Sequence, residues 1–176
     1  MSQKENQRVR LTKRLLKDAL IDILMDVPLQ KVTITEICAR AEINRTTFYK
    51  YYASEYELYA DIENDFISVL SENIVDAADA GLETLLHLIR ANPKMATAML
   101  NNSSEESLSQ RIFLLPEMTR NNNFKRLERA EQSAEVLFFI FSGAYAFIKK
   151  WINEGFVRSP GEVAAFLNRM VSRIVY

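Results

Sequence analysis

Two helix-start signatures, Thr33-Ile-Thr-Glu36 and Ser54-Glu-Tyr-Glu57, stand 21 residues apart in this chain. In each, a hydroxyl can take the amide three residues on while the glutamate reaches back, so each opens a helix. Between them Asn44 is a third N-cap, placed after the tight turn Glu42-Ile43-Asn44. The interval therefore holds two short helices, one after Thr33 and one over Arg45 to about Tyr51. Ile34, Ile37, Cys38 and Ala41 recur at helical spacing on the first, and Phe48 is the inward residue of the second. Ahead of them a longer helix is expected from about Arg10 to Val27. Leu15, Leu16, Ala19, Leu20, Ile23, Leu24 and Val27 form its apolar face, and Pro28 stops it. Two short helices joined by a three-residue turn, after a longer one, make a helix-turn-helix module.

Charge separates this module from the rest. Residues 1–53 carry ten Lys/Arg against six Asp/Glu, a net of +4, whereas the other 123 residues carry a net of −5. The overall charge of −1 thus hides a basic end on an acidic body, the asymmetry expected of a polyanion-binding end. A module of this kind reads duplex DNA by laying its second short helix in the major groove. Arg45 is placed to bind a guanine edge with both arms of its guanidinium, and Thr46 to touch a base or a thymine methyl. Thr47, Tyr49 and Lys50 suit phosphate oxygens. Thr33 and Thr35, with the amides beside them, can hold the backbone on the other side. Asn44 and Tyr51 join the same surface, and one of the pair Tyr51–Tyr52 is expected in the core.

The remainder reads as helix throughout. The fourth helix is expected from Ser54 to about Ala78. Further helices are expected over Leu82–Ala91, Pro93–Leu100, roughly Ser104–Asn121, Ala130–Glu154 and, from the cap at Ser159-Pro-Gly-Glu162, to about Ile174. The fold class is all-α: a helix-turn-helix domain over residues 1–53 and a helical regulatory and dimerisation domain over 54–176.

Residues Thr12 to Asp61 resemble the DNA-binding domain of the TetR/AcrR family of bacterial transcription regulators. Thr12 and Arg14 match its first-helix opening. Thr33, Ile37, Cys38, Ala41, Glu42, Ile43 and Asn44 match its helix-turn core, and Thr47, Phe48, Tyr49 and Tyr52 its reading-helix signature. Ser54, Glu55, Tyr56, Glu57 and Leu58 match the opening of its fourth helix. Three residues depart from the pattern. Cys38 replaces an alanine, and packing tolerates the change. Glu42 replaces the usual turn glycine, so the turn is either of another backbone type or carries a strained residue. Glu55 replaces a lysine that lies near phosphates, which removes a backbone contact and opposes DNA there.

The stretch SGAYAFIKKWINEGF followed by SPGEVAAFL resembles the last two helices of one TetR C-terminal subgroup, which pair with their copies. The resemblance implies a homodimer through Phe141, Gly143, Phe147, Trp151 and Phe166. It also implies a regulator, read as a repressor, that binds a pseudo-palindromic operator and answers a small apolar ligand by a shift of the fourth helix. Phe66, Leu70, Met95, Met99, Phe113 and Phe138 are the candidate pocket walls, unless they simply fill the core.

Other classes have less support. A single Cys38 and a single His87 leave no disulfide framework, no metal-ligand spacing and no acid–base pair, so neither an enzyme, a metal nor a cofactor is expected. The most apolar segment, Ala134 to Ile148, contains Glu135 and precedes Lys149-Lys150, short of the roughly 20 residues a bilayer span needs. With no export signal at the N-terminus, a cytoplasmic protein is expected, without a membrane partner. The alternative is a helical interaction adaptor whose helix-turn-helix has degenerated, which Glu42 and Glu55 would favour.

Overall fold

The computed structural model describes residues 3–74, 81–102 and 134–175, and every regular element among them is helical. The helix expected over Ser104–Asn121, with Phe113, lies outside the described residues. The chain divides into two compact units, Met1–Phe66 and Ile67–Tyr176.

In the first unit, α1 (Gln3–Ile23) begins seven residues earlier than the apolar spacing indicates. Its α-helical ladder closes at Ile23, but Val27 N–H still bonds to Ile23 O at 3.0 Å, so the apolar face runs on through a looser turn to Pro28. Leu16, Ala19, Leu20, Ile23 and Leu24 are buried, whereas Leu15 is 41% exposed and leaves the face assigned to it. A short 3-10 turn, Leu29–Lys31, then buries Leu29 and leads into α2 (Ile34–Ala41). Helix α2 packs on α1 through Ile37, Cys38 and Ala41. Burial pushes the Cys38 thiol pKa up against the opposing charge of Arg45, which suits a packing residue. Helix α3 (Arg45–Tyr49) is held on α2 by Phe48, which is fully buried. Helix α4 (Glu55–Ile74) starts beneath them with Leu58, Ile62 and Phe66 buried.

The second unit contains the end of α4, α5 (Gly81–Ala91), α6 (Pro93–Asn102), α7 (Ala134–Asn153) and α8 (Pro160–Val175). Helix α8 packs on α5 and α7 on α6. A Cβ at Gly161 would stand 2.9 Å from Glu83 Oε1, the mobile end of a half-exposed side chain. Tyr145 on α7 donates its hydroxyl to Leu100 O on α6 at 2.9 Å, satisfying a buried polar group at little cost to packing. The α8 cap forms as its sequence requires: Ser159 N–H and hydroxyl both donate to Glu162, and Pro160 takes the first helical position. Among the described residues no helix is long and apolar enough to cross a membrane.

Candidate nucleic-acid interface

The turn between α2 and α3 is built from local bonds. Thr33 Oγ1 accepts from Glu36 N–H at 3.3 Å, while Thr33 N–H donates to Glu36 Oε2 at 2.8 Å, completing a capping box. The Thr33 hydroxyl donates to the same carboxylate oxygen at 2.7 Å, so both donors of Thr33 are occupied within α2. Thr35, exposed beside it, has its hydroxyl available. Those bonds hold the Glu36 carboxyl below its ordinary pKa, the side-chain bond from Thr33 contributing most. At the far end of α2, Glu42 takes the left-handed conformation, φ 56° and ψ 36°. The turn is thus of the glycine type with a glutamate in it, which decides between the two possibilities its sequence leaves open.

Asn44 then caps α3, its Oδ1 accepting from Thr47 N–H at 2.7 Å and its NH2 remaining available. Arg45, Thr46, Tyr49 and Lys50 are exposed, and Thr47 and Tyr51 are half-buried. Arg45 and Tyr49 share a face, one guanidinium nitrogen lying 3.5 Å from the phenol oxygen. Among the described residues no carboxylate pairs with Arg45 or Lys50. Their charge is therefore available to an external anion.

The α1 lysines differ. Lys17 Nζ lies 2.6 Å from Asp65 and 3.0 Å from Asp61, and Lys13 Nζ lies 3.7 Å from Asp61. Tyr52, only 3% exposed, donates its hydroxyl to Asp61 at 2.7 Å. Burial acts to raise the Asp61 pKa, but the bonds from Tyr52 and Lys17 and both lysine charges outweigh it, so the net shift is downward. Burial, followed by the bond to Asp61, raises the Tyr52 pKa and keeps that hydroxyl a donor. Asp61 and Asp65 were not among the residues that sequence patterning singles out, because their partners are remote in the chain. A buried tyrosine hydroxyl's need for an acceptor was the available signal.

In the second unit, Leu70 and Met99 are fully buried and Met95 partly so, whereas Phe138 is 61% exposed. Phe66 is buried in the first unit. An open groove of about 710 Å³ runs between α7 and α8, lined by Phe147, Lys150, Trp151, Glu154, Val157, Arg158 and Phe166. Phe147 and Phe166 stack at 4.7 Å. Trp151 is buried, its Nε1 donating to Arg158 O at 2.9 Å. Phe141 is half-buried and Gly143 exposed. His87 is exposed, its Nε2 lying 3.7 Å from Glu83 Oε1 on the same helix face.

The family model TetR_C_8, described as the transcriptional regulator C-terminal region, matches residues 76–173, more than half of the chain. The chain belongs to the TetR family. A TetR transcriptional regulator from Streptococcus agalactiae 2603V shares its fold, with a TM-score of 0.75 over 97% of this chain and 99% of that one, at 18% identity. The dihydroxyacetone kinase operon activator DhaS superposes with a TM-score of 0.52, at 19% identity, covering 93% of this chain and 92% of that one. In sequence, the HTH-type transcriptional regulator YxbF of Bacillus subtilis is 23% identical over 175 residues, covering 90% of this chain and 44% of its own length. DhaS of Lactococcus lactis, the HTH-type dhaKLM operon transcriptional activator, is 30% identical over 64 residues, 36% of this chain and 34% of its own. The chain spans less than half the length of these two curated relatives. This TetR-family chain thus carries a transcriptional-regulator C-terminal region, and its described residues are all-helical with a helix-turn-helix.

Proposed function

We propose that the protein binds duplex DNA through α3, as a cytoplasmic homodimer on a pseudo-palindromic operator, and regulates transcription from there. The observation that carries this reading is the pair of exposed cations free of carboxylate partners among the described residues, Arg45 at the start of α3 and Lys50 at its C-terminal cap, on a short helix whose start is fixed by the Asn44 cap. A guanidinium free of carboxylates and aimed from a rigid element suits base recognition, and a flanking lysine suits phosphate. The contrast with Lys13 and Lys17, both neutralised by α4 aspartates, favours α3 over α1 as the main contact.

The dimer reading rests on α7. Phe139 is 67% exposed, and Gly143 and Ala146 lie on the same exposed stripe, one and two turns further along. Small residues flanked by an aromatic let a second copy's helix approach closely. The half-exposed Phe147–Phe166 stack continues that apolar surface onto α8. A small apolar ligand acting on the second unit, among Leu70, Met95 and Met99, would control operator release by favouring one arrangement of the dimer.

Repression is the reading carried from the family, and activation is a second one, since DhaS bears the name of an activator. Selection from a random-sequence duplex pool tests the core of the proposal. Enrichment of an inverted repeat with half-sites about one helical turn apart, or a multiple of it, is the expected result. A pool that stays random after repeated rounds rejects DNA recognition and favours the adaptor reading.

A further inference from the structure

We propose that Tyr52 and Asp61 are positioning residues for DNA recognition, fixing the reading helix against α1 and α4 through one shared carboxylate oxygen. The inference rests on α3 being the reading helix. Tyr52 is joined to α3 by its backbone: its N–H bonds to Phe48 O at 3.0 Å, closing the turn that ends the helix. Its ring packs against the Phe48 ring, with centroids 5.9 Å apart. From there its hydroxyl reaches Asp61 Oδ2 on α4 at 2.7 Å. Lys17 Nζ meets that same oxygen at 3.0 Å and Lys13 Nζ at 3.7 Å, both from α1. Lys13 also stands 5.0 Å over the Tyr52 ring. Helix α1, helix α4 and the turn that ends α3 thus meet at one atom.

Packing alone does not call for this arrangement. A phenylalanine at position 52 would fill the space without a buried hydroxyl that must find an acceptor. The hydroxyl adds direction, because a hydrogen bond weakens steeply away from linearity whereas ring packing tolerates rotation. A guanidinium that must engage two acceptors on one base needs its helix held to within a fraction of an ångström. A rotation of α3 about its own axis, which Phe48 alone permits, would move Arg45 and carry Tyr52 away from Asp61.

The test compares affinities for the duplex that wild-type protein enriches from a random pool and for a scrambled duplex of the same composition. Loss of folded protein lowers both affinities together, so a structural role leaves their ratio unchanged. Tyr52→Phe is expected to lower the ratio about five- to tenfold, the size of one ordinary hydrogen bond, through the selected duplex alone. Asp61→Asn, which keeps an acceptor for the hydroxyl, should stay closer to wild type than Asp61→Ala. Arg45→Ala is the control. A ratio lowered by Arg45→Ala but unchanged by Tyr52→Phe overturns the positioning role and leaves the reading helix intact. A ratio unchanged by Arg45→Ala removes α3 as the reader, and the positioning role falls with it whatever Tyr52→Phe does.

Discussion

Glu42 and Gly155 hold the same left-handed backbone conformation after two different helices, with φ of 56° and 76°. Ile43 N–H returns to Cys38 O at 2.9 Å after the first, and Phe156 N–H to Trp151 O at 3.0 Å after the second. Both helices therefore end in a Schellman motif, with a glycine at the left-handed position of the second and a glutamate at that of the first, while Phe156 after Gly155 also has a positive φ of 60°. A side chain in this region costs about 1–2 kcal/mol, partly offset by the larger unfolded-state entropy of glycine.

Glu42→Gly is accordingly expected to stabilise the protein by about 0.5–1 kcal/mol and raise its melting temperature by about 2–3 °C. Gly155→Ala should lower it by a comparable amount. Calorimetry of the two variants checks both signs. An unchanged or lower melting temperature for Glu42→Gly would mean that the turn carries no strain.

Acid should weaken the α2 cap. Glu36 has a folded-state pKa below its ordinary 4.5, so its contribution to stability is present above that value and lost as pH falls through the lowered one. Glu162 at the start of α8 follows the same rule, with the Ser159 backbone bond as the largest cause. Glu36→Gln keeps a capping side chain that does not titrate. The difference in melting temperature between wild type and this variant should shrink below about pH 4.5. A difference independent of pH would contradict the capping role of the ionised group.

Arg45→Ala should weaken binding to the selected duplex by about 1–3 kcal/mol and relax preference at one position of each half-site. Lys50→Ala should weaken every sequence alike and reduce the salt dependence by about one ion's worth. Binding titrations over a set of single-base variants separate the two patterns. Equal weakening across all bases for Arg45→Ala would reassign it to the phosphates.

Gly143→Leu isolates the dimer face. Among the described residues a Cβ at this position would meet nothing within 4 Å. Between two copies a larger side chain would force the helices apart. Light scattering at micromolar concentration should give half the wild-type mass, with unchanged helix content by circular dichroism. A variant that stays dimeric would place the interface elsewhere, and a monomeric wild type would remove it.

The elements closest to legible were those whose signals are local. The caps at Thr33, Asn44 and Ser159 each depend on residues three positions apart, and each formed. Apolar spacing places the start of α1 too late because Gln3 to Arg8 carry none, and helix there follows from propensity and continuity instead. Leu15 fits the periodic face, yet its neighbours do not cover it, which only tertiary packing decides. Within the candidate interface, the exposure of Arg45 follows from its place at the start of a capped helix. The occupied state of Thr33 was not visible, since its hydroxyl had two competing uses. The Tyr52–Asp61 bond spans nine residues and a change of helix, so no periodicity announces it.

Titration of wild-type protein with its selected duplex and with the scrambled one, across a range of salt, tests DNA reading by α3 most directly. Logarithmic affinity should fall linearly with logarithmic salt for both, and the selected duplex should bind at least about a thousandfold more tightly at physiological salt. Equal affinity for the two duplexes, or binding to neither, would contradict the claim that α3 reads DNA sequence.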